Sequence, residues 1–417
     1  STLKNKSTDR RIVRMVIATG IASVVTQLQM IREFLTQFQG NEFVIALIFF
    51  SWLVLGGIGT WAAYLSRHRW LAPTSGRLAA AALLLAGLGP VMLMAARELR
   101  NVLFLAGSAV GFYATFTYIF AILAPYCLLL GFLLPYSLIC AQRFSPSFSG
   151  TRIYIADNFG DIGGGALFSF VLVFFATPLQ ALFLANLPLV FAAWMLLPKA
   201  SGYRILSVSG VLVCLLVFIG AMGLEIPSLQ PETRHLRHYE DSRYGRIEVH
   251  QEREQHTLFI DGRPVLSSHD VPGAEETAHY PLCQLDAVEN VLLLSGQGGI
   301  MAEILKYQPA SVDYVEIDPA VTDVVFEYDL LAADKPLNVI HQDGRQYLSK
   351  TRKTYDAVIL NLPEPDTFQI NRFFTDRFYQ QVKKHLAPQG VLSFSTESVA
   401  DYISEAQREK ISIIHNT

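Results

Sequence analysis

The chain has 417 residues, 51% of them hydrophobic and 17% charged, against roughly a quarter charged in an average soluble protein. Its net charge of −3 hides an asymmetry: 15 of the 33 Lys and Arg but only 6 of the 36 Asp and Glu precede Glu225, so the first part carries +9 and the rest −12. An acidic second part argues against a nucleic-acid partner and suits a cationic or small neutral ligand. Four scattered cysteines with no CxxC pair indicate neither a disulfide framework nor a metal site.

Residues 1–225 read as a transmembrane domain of about eight helices, each near the ~20 residues that cross a bilayer. The apolar runs are 12–31, 43–65, 78–96, 102–123, 126–141, 155–177, 179–197 and 205–224, with Pro125 dividing the nearly uncharged stretch 102–141. One cleavable secretory signal accounts for a single run and not for seven more. Lys4, Lys6, Arg10, Arg11 and Arg14 precede the first run, and Arg67, Arg69 and Arg77 lie between the second and third, marking both places as cytoplasmic. Arg97, Arg100, Arg143 and Arg152 then fall outside. An even number of spans makes this an integral protein of the inner (cytoplasmic) membrane whose soluble part faces the cytoplasm.

Polar residues interrupt the apolar sequence at two places. Gln27, Gln29, Arg32, Glu33 and Glu42 lie around the end of the first run, and Asp157, Asn158 and Asp161 at the head of the sixth. Asp157 and Asp161, four apart, share one helix face, and Gly160, Gly163, Gly164 and Gly165 let a neighbouring helix come close. They are either solvated helix ends at headgroup level or the lining of a polar pathway.

From Arg243 the pattern changes. RYGRIEVHQ and HTLFIDGRPVLSS alternate as strands, with Asp261-Gly262 as a turn, giving a small β-hairpin subdomain over 232–270. An α/β Rossmann-like, methyltransferase-type domain follows over 271–417. Within it VLLLSGQGGIMAEILKYQPASVDYVEID runs strand, glycine turn, helix, strand. Gly296, Gln297, Gly298 and Gly299 let the backbone approach a nucleoside, and Glu316, at the tip of the second strand, can accept hydrogen bonds from ribose hydroxyls.

EETAHYPL, the glycine loop, VEIDPAV, HQDGRQYL, YDAVILNLPEPD and FFTDRFYQQVKKHLAPQGVLSFS follow in an order that resembles the spermidine synthase (polyamine aminopropyltransferase) family over about 239–401. The whole chain is similar to that family's membrane-fused branch. The resemblance implies transfer of an aminopropyl group from decarboxylated S-adenosylmethionine to a small amine such as putrescine, with no metal. It implies that Glu316 grips the ribose, that Asp343-Gly344 reads the adenine amino group, and that Glu275, four residues before His279, binds the amine. Asn361, Glu364 and Asp366 occupy the catalytic DxxDP signature, but Asn361 replaces its first aspartate, and an amide cannot act as a general base. Gln297 replaces a family aspartate, Gly245 a glutamine and Gly273 a tyrosine. The family fold needs at least one more pair of strands after VLSFS, so the domain reads as incomplete at its C-terminal end. Arg372 reads as an anion ligand or a solvated residue, and His341 as a loop residue.

Three readings of function differ in class. One is a membrane-bound aminopropyltransferase-like enzyme, its partners the lipid bilayer and an amine. Another is methyl transfer from S-adenosylmethionine on the same scaffold. The third is a catalytically degenerate sensor, assembly or transport protein. A homo-oligomer is left open.

Overall fold

The computed structural model describes residues 2–38, 42–66, 73–104, 110–197, 201–229, 235–295, 299–328, 330, 337–396 and 403–417, with backbone alone at 2–7 and 201–207. Arg67, Arg69, Gly296, Gln297 and Gly298, singled out above, lie outside the described residues. The chain forms two compact units, which divide near residue 232.

The first unit is helical: α1 (Thr2–Gln37), α2 (Phe43–Ser66), α3 (Ser75–Leu103), α4 (Phe112–Phe144), α5 (Gly150–Phe175), α6 (Pro178–Leu196) and α7 (Ser201–Gly223). Among the described residues six helices are long and apolar enough to cross a membrane, and α7 adds a shorter apolar stretch, Val208–Gly223. The expectation of about eight spans fails at one place. The separate runs 102–123 and 126–141 do not exist: α3 reaches Leu103, and α4 passes unbroken through Pro125 and Pro135. In water a proline commonly ends a helix. Among apolar neighbours an unfolded turn would leave several polar backbone groups unpaired, so losing one hydrogen bond is the cheaper outcome.

Close helix approach occurs where the glycines predicted it. A Cβ on Gly160 would lie 2.3 Å from Ile17 O, and one on Gly164 2.7 Å from Ile21 O, so α5 lies directly on α1; Gly163 meets only the Ile21 side chain, at 3.7 Å. Asp157 and Asp161 are half-buried on α5. Because α5 starts at Gly150, capped by Ser149, they sit roughly 10 and 16 Å along it at 1.5 Å per residue. They are therefore well inside the helix rather than at its end. Glu33 has a cation: Arg97 Nη2 lies 2.9 Å from its Oε2, both side chains being almost fully buried. Arg97 also donates to Ser228 Oγ at 3.1 Å, and Glu225 accepts from Thr177 Oγ1 and Leu179 N at the start of α6.

The second unit opens with an antiparallel meander of β1 (His235–Asp241), β2 (Arg246–Glu252), β3 (Gln255–Ile260) and β4 (Arg263–Ser267). Asp261 and Gly262 make the β3–β4 turn with φ of 49° and 70°, the pair of left-handed values that a two-residue hairpin requires. Then come α8 (Val271–Leu282), β5 (Asn290–Leu294), α9 (Gly299–Leu305), β6 (Ser311–Glu316), α10 (Pro319–Glu327), β7 (Leu337–His341), α11 (Gly344–Lys350), β8 (Tyr355–Leu360), α12 (Phe368–Asn371), α13 (Asp376–Lys383), β9 (Leu386–Phe394) and α14 (Glu405–Asn416).

The five strands β5 to β9 form a parallel sheet in the order β7-β6-β5-β8-β9. Alternation along β5 divides its core: Val291 and Leu293 pack with Ala278, Ile304 and Val325, whereas Leu292 and Leu294 pack with Leu348, Phe373 and Phe378. A sheet covered on both faces offers ligands only its edge, at the carboxyl ends of the strands.

Candidate functional site

The order of the strands reverses direction at β5, between β6 and β8, which is where such sheets bind ligands. Ser295 ends β5 in a left-handed conformation, φ 55°, and its amide still donates to Val315 O at 2.9 Å. Its hydroxyl donates to Glu316 Oε2 at 2.9 Å. Ile317 N and Asp318 N donate to Glu316 Oε1 at 2.8 and 3.2 Å. Glu316 is only 5% exposed. Burial pushes its carboxyl above the usual range, against hydrogen bonds from Asp318 N, Ser295 and Ile317 N that favour the anion. Among the described residues no cation pairs with it, so its charge is held by neutral donors alone.

Asp318 caps α10, accepting from Ala320 N at 3.1 Å, and also accepts from Ser242 Oγ in the β1–β2 turn. The small sheet is thereby tied to the tip of β6. Gly245 lies in the same turn. A Cβ there would come within 2.7 Å of the Asp261 carboxylate, which accepts from Arg246 N at 2.9 Å. Asp261 thus takes the space of any side chain at 245. At Gly273 the carboxylate of Asp270, the α8 N-cap, plays the same part: a Cβ would meet it at 2.6 Å.

Asp343 lies just beyond β7. Its Oδ1 accepts from Gln346 N at 3.0 Å as the N-cap of α11, and its Oδ2 is paired with Arg372. Both oxygens are therefore engaged, and the anion ligand expected for Arg372 is this aspartate. The guanidinium also stacks over Phe373, 4.8 Å from the ring centroid. Gly344 packs tightly, a Cβ there lying 3.3 Å from Leu294 and Phe373 atoms. Asn361 follows β8, its backbone N–H donating to Leu294 O at 3.0 Å. Glu316, Asp343 and Asn361 therefore stand on one edge, at the ends of β6, β7 and β8, with Ser295 at the end of β5. Glu364 and Asp366, a few residues past Asn361, share one cation: Lys410 of α14 sits on Glu364 Oε2 and 2.7 Å from Asp366 Oδ1.

The two residues expected to bind the amine both lie on α8. The imidazole of His279 lies 2.9 Å from Glu303 Oε2 and 2.9 Å from the Tyr307 hydroxyl, on the flank of α9. Glu275 is exposed on α8. Gly299 begins α9, with a Cβ position 3.0 Å from that of Ala274. His341 is exposed and meets Thr322 Oγ1 at 3.2 Å; it is the last residue of β7, in register with Glu316, and not the loop residue read from sequence. Reading the sequence missed Ser295, Ser242 and Lys410. Ser295 was open to recognition as the hydroxyl immediately before the glycine loop. No local signal marks the other two, whose partners are 76 and 46 residues away.

Residues 273–412 match the spermine/spermidine synthase domain. A polyamine aminopropyltransferase of Oceanobacillus iheyensis is 30% identical over 268 residues, 60% of this chain and 52% of that protein. Polyamine aminopropyltransferase 2 of Aquifex aeolicus is 25% identical over 249 residues, 56% of this chain and 50% of that protein. The chain thus spans about half the length of these curated relatives. A crystal structure of spermidine synthase in complex with the transition state analogue AdoDATO is 22% identical, with a TM-score of 0.39 over 43% of this chain and 64% of that chain.

Proposed function

We propose, from the premise that the C-terminal part of this chain carries a spermine/spermidine synthase domain, that the protein is a membrane-embedded transferase. It would bind an adenosyl sulfonium donor, decarboxylated S-adenosylmethionine, and an amine acceptor such as putrescine. The observation that carries this reading is Glu316: a carboxylate almost fully buried at the tip of β6, held by Ser295 and two amides and by no described cation. Ribose hydroxyls donating to it would supply the stabilisation that burial withholds.

In the reaction the amine nitrogen attacks the propyl carbon next to sulfur. A C–N bond forms, the C–S bond breaks with its electron pair passing to sulfur, and methylthioadenosine leaves. The amine must shed a proton, which Asn361 cannot accept. Glu364 and Asp366 are the nearby carboxylates in the chain segment after β8, and we assign them the proton and the acceptor's charge. Asp343 serves the adenine amino group once Arg372 withdraws from its Oδ2. Calorimetry with methylthioadenosine tests the binding half: wild type binds and Glu316→Ala does not. No binding to wild type at millimolar concentration sinks the proposal. Product analysis with decarboxylated and intact S-adenosylmethionine separates aminopropyl from methyl transfer.

A second reading follows from taking α7, the shorter apolar helix among the described residues, as a seventh span. The connections after α2, α4 and α6 then lie on the side of the N-terminus; Arg67, Arg69 and Lys199 fall between those helices in sequence, and Arg143 is in the last turn of α4. The positive-inside rule then puts that side in the cytoplasm and the C-terminal unit outside it. There a receptor for amines or nucleosides is favoured over a transferase that needs a donor made in the cell. A reporter fused after Thr417 decides: activity of a cytoplasm-only reporter removes this second reading.

A further inference from the structure

The acid pair of the candidate site has an occupant within the chain. α14 starts with a capping box, Ser404 with Gln407, which fixes its first turn locally. Gln407, Lys410, Ile411 and Ile414, three and four apart, form its inner stripe. Of these only Ile414 is buried, joining Phe373, Phe374 and Phe378. Glu405, Arg408, Glu409 and Ile413 are exposed. The helix is docked by little more than one isoleucine and one ammonium.

We infer that Lys410 is a tethered competitor for the amine, its ammonium standing on Glu364 and Asp366 where the ammonium of a substrate would be held. This rests on the transferase reading above. A lysine head is a primary ammonium on a four-carbon stem, the same group that ends an aliphatic diamine. It lies on Glu364 Oε2 and 2.7 Å from Asp366 Oδ1, so a second cation arriving at the pair meets like charge at a filled position. Burial alone would lower the Lys410 ammonium, but hydrogen bonds to Asp366 and Glu364 outweigh it and hold its pKa above the ordinary lysine value. It therefore stays charged wherever the amine does. Amine binding requires α14 to give up Lys410.

The test uses the full chain in nanodiscs, with putrescine titrated calorimetrically into wild type, Lys410→Met and Ile414→Glu. Lys410→Met removes the competitor and Ile414→Glu undocks the helix that carries it. Each should tighten putrescine binding by about tenfold, and adding Glu364→Gln to Lys410→Met should cancel the gain. The inference is overturned if neither variant binds putrescine more tightly than wild type, or if no chain binds it at millimolar concentration. Methylthioadenosine titrated into the same samples tests the transferase reading separately. Its failure to bind while the putrescine gain persists removes the transferase and leaves the competitor standing.

Discussion

The two ends of β6 carry buried carboxylates three residues apart that have opposite surroundings. Asp313, near the start of the strand, is fully buried and accepts from Lys353 Nζ, the hydroxyls of Tyr347 and Tyr355, and Asn338. Burial would raise its carboxyl, but hydrogen bonds from Lys353, Tyr355, Asn338 and Tyr347 outweigh burial and hold it below the ordinary range. Glu316, at the tip, is pushed up because its neutral donors do not offset burial. A buried acid whose charge is met from within the protein belongs to the fold. One left short of compensation, at the edge where ligands enter, is a candidate for binding.

The largest effect expected of this contrast lies in the helical unit, where Glu33 is matched by Arg97 much as Asp313 is matched by Lys353. Arg97→Met should cost about 3–5 kcal/mol in a detergent thermal-shift assay, because it removes the cation that faces a buried carboxylate. A change within a few tenths would show that the pair is dispensable. At the tip of β6, Glu316→Gln should weaken methylthioadenosine about a hundredfold, near 3 kcal/mol, by removing a charged acceptor, while the fold persists. Asp313→Asn should do the reverse, costing about 1–3 kcal/mol of stability and leaving the nucleoside affinity unchanged. Equal affinity losses from the two substitutions would erase the distinction.

The pH dependences also run in opposite directions. Asp313 has a lowered folded pKa, so its stabilisation is present above the ordinary 3.8 and is lost as pH falls through the lower folded value. Glu316 has a raised one, and a donor-rich ligand wants the anion. Nucleoside affinity should therefore fall, by up to about tenfold per pH unit, as pH drops from neutral towards 4.5 through the raised value. An affinity flat across that range would show that Glu316 does not contact the ligand.

Much of this was legible in order along the chain. Apolar runs announced a unit of long apolar helices, period-two alternation with Asp261-Gly262 announced the hairpin, and the apolar strands flanking the glycine loop announced a parallel βαβ unit. Each of these signals is local: an apolar run, a periodicity, or a turn needing left-handed backbone. Tertiary structure decided the rest, since contact between distant residues leaves no local trace. It made one helix of the stretch around Pro125, because an unfolded turn among apolar side chains would leave more backbone groups unpaired than the proline does. It filled the space beside Gly245 with Asp261, turned Asp343 towards Arg372, and drew Lys410 onto Glu364 and Asp366. The residue types of the candidate site follow from sequence, whereas their occupancy by other parts of the same chain follows only from the fold.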